Sequence, residues 1–284
     1  MTTIDAALAA GASRLTGAAS PEADARLLLS HAWQLPLGRL GVEQALGTEL
    51  PDEIAQAYAD LLDRRAAGLP VQRIIGATDF CGVSLEVGPD VFVPRPETES
   101  LVAWGVEQLS GLRAPVVVDL CTGSGAIAAA VAHLVPDARV YATELSPQAH
   151  DLARRNLPER VELELADLRD AWRSLDGHVD LVLCNPPYIP LTAWEGVPAE
   201  VRDHDPELAL FSGDDGLEAM RALAPVAARL LKPGGWLGAE HAEVQHESAP
   251  AIFVASEAFD RVQDRFDLTG RPRFVTARRR CASS

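Results

Sequence analysis

The tetrapeptide Asn185-Pro186-Pro187-Tyr188 has the makings of a rigid cradle for a flat amino group. Each proline fixes its own φ at about −65° and pushes its predecessor toward extended geometry, so Asn185 and Pro186 are both constrained. Lacking N–H groups, Pro186 and Pro187 present only carbonyl acceptors, and the Asn185 side chain adds another acceptor oxygen. A planar –NH2 group needs two in-plane acceptors, one for each hydrogen, and Tyr188 can stack on that plane. The nitrogen of an amide or an aniline-like amine has a delocalised lone pair and attacks carbon poorly. Acceptors on both hydrogens raise its electron density and aim it. Against a methyl group already activated by a positive sulfur, no covalent enzyme intermediate is required. Positioning then supplies much of the catalysis, roughly 7–11 kcal/mol for a well-oriented pair. Asn185, Pro186 and Tyr188 are the candidate catalytic residues, and Pro187 joins them in holding the acceptor. Asn-Pro also marks ordinary turns, so the tetrapeptide takes its meaning from its surroundings.

Upstream, Asp119-Leu120-Cys121-Thr122-Gly123-Ser124-Gly125 sits where a strand turns into a helix. Gly123 and Gly125 permit a tight turn and close ligand approach, and Ala128 completes a dinucleotide-type spacing. Candidate cofactor contacts are Cys121, Thr122, Gly123, Ser124 and Gly125. Glu144 ends the next strand, where a carboxylate can accept hydrogen bonds from both ribose hydroxyls of an adenosine. That geometry serves NAD and S-adenosylmethionine equally. Asp167 ends the third strand and can reach an adenine amino group, with Leu168 covering the ring. Strand-end acids also cap turns.

The elements that must position these residues alternate. Strands are expected at 115–120, 139–144, 161–166, 179–184 and 236–240, with helices at 124–134, 147–156 and 217–231, the last bent at Pro225. Such alternation implies a parallel sheet covered by helices on both faces. Residues 261–268 and 273–278 read as a closing antiparallel hairpin around Thr269-Gly270-Arg271-Pro272. Glu144, Asp167 and the tetrapeptide then all fall at carboxyl ends of strands, where open α/β sheets bind ligands. Residues 1–70 read as a small helical bundle, with Ser20-Pro21 opening one helix and Pro51 another. Residues 71–95 read as a linking β-hairpin, with strands over 83–87 and 91–93 around Gly88-Pro89-Asp90. Residues 96–284 form the main domain.

The 284 residues, 48% hydrophobic and 23% charged, suit a globular chain with a substantial core. The formal charge of −16 disfavours direct nucleic-acid binding, which relies on Lys and Arg. No apolar run reaches the roughly 20 residues of a membrane span. The first residues lack the features of a secretion signal, giving a cytoplasmic expectation. Cys81, Cys121, Cys184 and Cys281 are scattered, so thiols are expected rather than disulfides or a metal site. His178, His204, His241 and His246 have no metal spacing, and His241 and His246 are expected on a surface turn and helix. Arg271–Arg280 reads as a solvated strand edge and tail, and Trp172, Trp194 and Trp236 as core or loop anchors.

These residues resemble the HemK-type protein-glutamine methyltransferases, also called PrmC. The resemblance runs over almost the whole chain. It is carried by Pro70-Val71-Gln72-Arg73-Ile74-Ile75-Gly76, Val93-Pro94-Arg95-Pro96-Glu97-Thr98-Glu99, the glycine loop, Asn185 to Tyr188, Glu207-Leu208-Ala209-Leu210 with Gly213-Asp214-Asp215-Gly216, and Leu231-Lys232-Pro233-Gly234-Gly235. It implies a class I S-adenosylmethionine-dependent methyltransferase fold, Rossmann-like, with a mostly parallel seven-stranded sheet ending in an antiparallel hairpin and an N-terminal helical docking bundle. It further implies S-adenosyl-L-methionine as cofactor, no metal, and contacts from Thr98 and Glu97 to the methionine part of that cofactor. The implied substrate is the glutamine of the Gly-Gly-Gln loop in class I peptide chain release factors, gripped by the helical front and residues 201–216. Arg73, Cys121 and Asp205 depart from the family pattern, where tyrosine, glycine and glutamate are usual.

Other readings use the same parts. A ribosomal-protein glutamine methyltransferase shares the architecture, but the Pro94–Glu99 stretch argues against it. An adenine amino-methyltransferase would flip its base into the same cradle, and the negative charge opposes it. An NAD-dependent oxidoreductase fits the glycine spacing yet leaves the tetrapeptide without a task. A non-enzymatic cofactor-binding scaffold also leaves the intact cradle unexplained.

Overall fold

The computed structural model describes residues 2–281. They divide into two compact units: one runs to Ala77 and includes Pro198–His204, and the other takes Thr78–Val197 and the chain from Asp205 onward.

The first unit is helical. It contains α1 (Ile4–Arg14), α2 (Pro21–Trp33), α3 (Leu37–Ala45), α4 (Asp52–Ala66) and α5 (Val71–Ile75), with short strands β1 (Thr2–Thr3) and β2 (Glu49–Leu50) paired antiparallel. Ile4, Leu28, Leu29, Leu40, Tyr58 and Leu62 are buried together in its core. Ser20 precedes Pro21 as expected, although its side chain makes no capping hydrogen bond. Arg65 is buried on α4. It donates to Asp24 of α2 at 2.7 Å and to Glu200 at 2.9 Å, and so ties the Pro198–His204 segment into this unit.

The hairpin falls earlier than the sequence suggested. β3 (Ala77–Phe80) pairs with β4 (Val83–Glu86), turning at Cys81-Gly82, both at positive φ as a two-residue hairpin loop requires. Residues 91–93 form no strand. Pro89, Pro94 and Pro96 crowd that stretch, and a proline cannot donate to a sheet ladder.

The second unit is built on β5 (Val116–Leu120), β6 (Arg139–Glu144), β7 (Glu162–Leu165), β8 (Val179–Cys184), β9 (Leu231–Glu240), β10 (Phe259–Phe266) and β11 (Pro272–Arg279). They form one seven-stranded sheet in the order β10-β11-β9-β8-β5-β6-β7. The five strands from β9 to β7 run parallel, while β11 joins β9 antiparallel and β10 joins β11 antiparallel. Every residue of β5 is buried, as a central strand covered on both faces demands. Alternation along β5 and β8 divides two cores. Val118, Leu120, Val182 and Cys184 pack with Met220 and Leu223, and Val117, Leu181 and Leu183 pack with Leu101 and Val131.

The helices of this unit are α6 (Glu99–Gln108), α7 (Ala126–Leu134), α8 (Pro147–Asn156), α10 (Glu207–Leu210), α11 (Glu218–Leu230, with Pro225 inside) and α12 (Ser248–Ala255); α9 (Ala199–Arg202) lies in the segment that belongs to the first unit. Helix α7 starts at Ala126, not Ser124, because Gly123 and Gly125 are left-handed, at φ 58° and 86°. The surface expectation for His241 is overturned. Its side chain is fully buried beyond the end of β9, with Nε2 2.9 Å from Asp264 Oδ1 on β10. The antiparallel hairpin covers that strand end, a consequence of topology that local sequence does not reveal. Arg273 likewise is no solvated edge residue: its guanidinium pairs with Asp267 at 3.0 Å. No helix among the described residues is long and apolar enough to cross a membrane, and none of their His, Cys, Asp or Glu side chains cluster as metal ligands.

Candidate active site

Strand order reverses between β5 and β8, because β6 continues on one side of β5 and β9 on the other side of β8. Ligands of open α/β sheets bind outside the carboxyl ends of strands at such a switch. Leu120 is the register partner of Cys184. The glycine loop, which starts at Cys121, and the tetrapeptide, which starts at Asn185, therefore leave neighbouring strands side by side.

Cys121, Gly123 and Gly125 all have positive φ, so the loop curls tightly before α7. Thr122 N–H donates to the Thr143 carbonyl at 3.0 Å, tying the loop to β6. Glu144, buried at the end of β6, accepts from the N–H groups of Gly123 (2.8 Å), Leu145 (2.9 Å) and Ser146 (2.8 Å). Burial pushes its carboxyl above the usual range, and those three donors oppose the shift. Asp119, to which the sequence reading gave no role, is fully buried and pushed up to about 7 by burial. One of its oxygens accepts from Thr122 Oγ1 at 2.5 Å and from Ala128 N–H at 3.1 Å. Its Oδ1 has no partner among the described residues.

Asp167 follows β7 at the same sheet edge, but its carboxylate caps the next turn. It accepts from Arg169 N–H at 2.8 Å and pairs with the Arg169 guanidinium at 3.0 Å. Leu168 packs against the core cluster that holds Leu120 and Cys184.

Pro186 is buried and the rest of the tetrapeptide half-buried. Among the described residues, the carbonyl oxygens of Pro186 and Pro187 accept no hydrogen bond. The chain beyond is fastened by Ile189 N–H to Leu210 O (2.8 Å), Ser212 N–H to Ile189 O (3.0 Å) and Leu191 N–H to Gly213 O (2.9 Å). Gln245, buried, donates from Nε2 to the Tyr188 carbonyl at 3.0 Å and to the Asp215 carbonyl at 3.4 Å.

Thr98, buried in the turn before α6, stands between the tetrapeptide and the end of β9. Its hydroxyl donates to Glu240 Oε2 at 2.6 Å and accepts from Asn185 Nδ2 at 3.4 Å. Tyr188 donates its hydroxyl to the other Glu240 oxygen at 3.4 Å. Burial, and then the Glu240 charge, raise the Tyr188 phenol above its ordinary range, with Arg273 and Arg95 opposing. Burial pushes Glu240 itself up to about 7; Thr98 and Arg273 oppose that shift, and Glu97 adds to it. Arg95 pairs with the buried carboxylate of Asp205 at 2.8 Å and lies over the Phe92 ring.

Of the residues singled out in sequence, the structure gathers Cys121, Thr122, Gly123, Ser124, Gly125 and Glu144 on one side, and Thr98, Asn185, Pro186, Pro187 and Tyr188 on the other. Glu97 comes close enough to act on Glu240, whereas Asp167 turns toward Arg169. Glu240 and Gln245 were missed. A signal for Glu240 existed, since it ends a strand at the same sheet edge as Glu144. For Gln245 no local signal existed.

Residues 6–76 match the PrmC N-terminal domain, and residues 117–204 match a methyltransferase domain. The chain is 48% identical over 267 residues to a release factor glutamine methyltransferase of Streptomyces coelicolor, covering 93% of this chain and 92% of the relative. It is 40% identical over 273 residues to a 4-amino-L-phenylalanine/4-methylamino-L-phenylalanine methyltransferase of Streptomyces pristinaespiralis, covering 93% and 91%. Among solved structures, the hMettl16 catalytic domain shares the fold at a TM-score of 0.57 and 15% identity, covering 79% of this chain and 83% of that one. With both matched domains present and near-full-length identity of this depth, the chain belongs to the HemK/PrmC family of release factor glutamine methyltransferases.

Proposed function

We propose that this protein transfers a methyl group from S-adenosyl-L-methionine to the side-chain amide nitrogen of the Gly-Gly-Gln glutamine in class I peptide chain release factors, in the cytoplasm. The observation that carries the reading is the register pairing of Leu120 with Cys184, which sets a cofactor-type loop beside a proline-braced amide cradle. Near-full-length identity to an enzyme named for this reaction supports the acceptor.

The residues present fit the cofactor. Asp119 Oδ1 is buried without a partner, and a ligand bearing a sulfonium and an ammonium would draw the buried carboxyls of Asp119, Glu144 and Glu240, which burial pushes toward their neutral forms, to their charged forms. Glu144, braced by three N–H groups, would accept the ribose hydroxyls, and Cys121 to Gly125 would wrap the adenosine side. Leu168 would cover the adenine, Asp167 would reach its amino group with the lone pairs that Arg169 leaves free, and Thr98 and Glu97 would meet the methionine part. When bound, S-adenosyl-L-methionine supplies an electrophilic methyl carbon whose bond to sulfur breaks as a nucleophile attacks.

The chain's own work is to hold and aim the acceptor. Asn185 Oδ1 and the Pro186 carbonyl would each accept one N–H of the glutamine amide, fixing its plane and enriching its nitrogen. Tyr188 and Pro187 would close the sides and exclude water. Electrostatic preorganisation of this kind acts without reorganising during the reaction.

The relative that methylates 4-amino-L-phenylalanine gives a second reading, because its acceptor is also a conjugated –NH2 group. Labelled methyl donor should be offered with a release factor, a ribosomal protein and 4-aminophenylalanine in parallel. Label on the release factor alone is expected. Label absent from the Gly-Gly-Gln loop defeats the proposal, and label on the free amino acid installs the second reading.

A further inference from the structure

We propose that Glu240 is a positioning residue that sets, through the hydroxyl of Thr98, which way the Asn185 amide faces; this inference rests on the acceptor role given to Asn185 above.

The count of hydroxyl protons fixes the orientation. A threonine hydroxyl has a single hydrogen. At 2.6 Å from Glu240 Oε2, with a carboxylate as partner, that hydrogen is committed to Glu240. Toward Asn185 the Thr98 oxygen can then only accept. Of the two ends of the Asn185 amide, only Nδ2 can face it, which is the contact observed at 3.4 Å. Asn185 Oδ1 is thereby turned away from Thr98 and left as an acceptor for the incoming –NH2 group. A flipped Asn185 would instead present N–H toward N–H, losing one of the two hydrogen bonds that activate the nitrogen.

Glu240 also reaches the far end of the tetrapeptide, since its second oxygen takes the Tyr188 hydroxyl at 3.4 Å. A single carboxylate at the end of β9 therefore orders both termini of the cradle. Burying a charge is costly unless it is hydrogen-bonded, and among the described residues those two hydroxyls are the hydrogen-bond partners of its carboxylate. Arg273 from β11 and Glu97 from the turn before α6 are the charged groups that act on it. Packing alone would not require an acid here: a leucine or glutamine could fill the same volume, but neither would oblige the Thr98 hydrogen to point away from Asn185.

The test uses the full chain and three variants: Thr98→Val, Thr98→Ser and Glu240→Gln. Valine keeps the shape of threonine without the hydroxyl, while serine keeps the hydroxyl and gives up a methyl. A packing role ranks valine above serine; the relay ranks serine above valine. We expect kcat of Thr98→Ser to exceed that of Thr98→Val by about tenfold or more. Glu240→Gln should fall with the valine variant. The release-factor KM should move by less than about threefold in all three, because the relay acts on the orientation of Asn185 during methyl transfer rather than on the docking of the partner protein.

The second readout needs no substrate: the side-chain amide resonances of Asn185 in nitrogen-labelled protein, assigned by their loss in Asn185→Asp. They should move in Thr98→Val and Glu240→Gln and stay near their wild-type positions in Thr98→Ser. Valine matching or exceeding serine in kcat, or Asn185 resonances unmoved by Thr98→Val, overturns the proposal. A wild-type enzyme that labels no release factor refutes the function proposed above, and the resonances then decide the relay by themselves.

Discussion

Gln245 Nε2 donates to the carbonyl oxygen of Tyr188 at 3.0 Å, and Gly216 sits against the same oxygen with no room for a side chain. A Cβ at Gly216 would overlap that oxygen and come within 2.8 Å of Gln245 Nε2, and the residue's φ of 76° is itself left-handed. Gly216→Ala must therefore push the exit of the cradle outward. Strain and overpacking of this sort cost about 1–3 kcal/mol. We expect a lower Tm and a fall in methyl transfer larger than the fall in stability explains. Gln245→Ala, which strips the Tyr188 and Asp215 carbonyls of a donor, should act in the same direction by about 1–3 kcal/mol. Thermal melts and transfer rates on both variants check this.

Glu144→Ala removes the carboxylate that would take two ribose hydroxyls, and hydrogen bonds to charged groups contribute about 1.5–3 kcal/mol each. Calorimetry should show the affinity for S-adenosyl-L-methionine falling by about thirtyfold or more. It should show no binding of NAD to the wild-type protein. An unchanged cofactor affinity in the variant would remove Glu144 from the site.

The buried acids set a pH dependence with a definite sign. Burial raises Glu240 from 4.5 and Asp119 from 3.8, each to about 7. A carboxyl with a raised folded-state pKa holds its proton in the folded protein over a range where the unfolded chain has released it. The associated stability is present below about pH 4 and is lost as pH rises through 7. Stability should therefore decline from about pH 4 to about pH 7 and level off above that, with a slope of up to about 1.4 kcal/mol per pH unit for each group. Asp119→Asn should flatten that decline in denaturant titrations. Activity should run the opposite way, rising through about pH 7, because only ionised Glu240 commits the Thr98 hydrogen.

Arg65 carries a buried charge shared between Asp24 and Glu200. Removing Arg65 leaves the buried Asp24 carboxylate without compensation, at about 3–5 kcal/mol, while the half-exposed Glu200 can turn to water. Arg65→Ala should lower the stability of the helical unit by that amount in urea unfolding, and limited proteolysis should then cut within residues 198–204 first.

Much of the scaffold was legible because it is written in local pattern. Val179–Cys184 and Arg139–Glu144 are strands where the apolar runs place them, and Pro147–Asn156 is a helix between its cap and its last polar turn. The positions of Glu144 and Asn185 followed from those strand ends. The second strand of the linking hairpin did not follow, because Val91 and Val93 are buried in a stretch that forms no strand, and apolar alternation cannot distinguish the two. Glu240 escaped because its partner Thr98 is 142 residues away in sequence and the contact exists only once β9 stands beside β8. His241 escaped for a similar reason, since it meets Asp264 only once the edge strand β10 stands two places from β9 in the same sheet.

The cradle itself is most directly tested by mass spectrometry of a class I release factor after incubation with S-adenosyl-L-methionine and either the wild-type enzyme or Asn185→Ala. We expect one added methyl group on the Gly-Gly-Gln glutamine with the wild type and nearly none with the variant. A variant that methylates that glutamine at the wild-type rate would contradict the role given to Asn185.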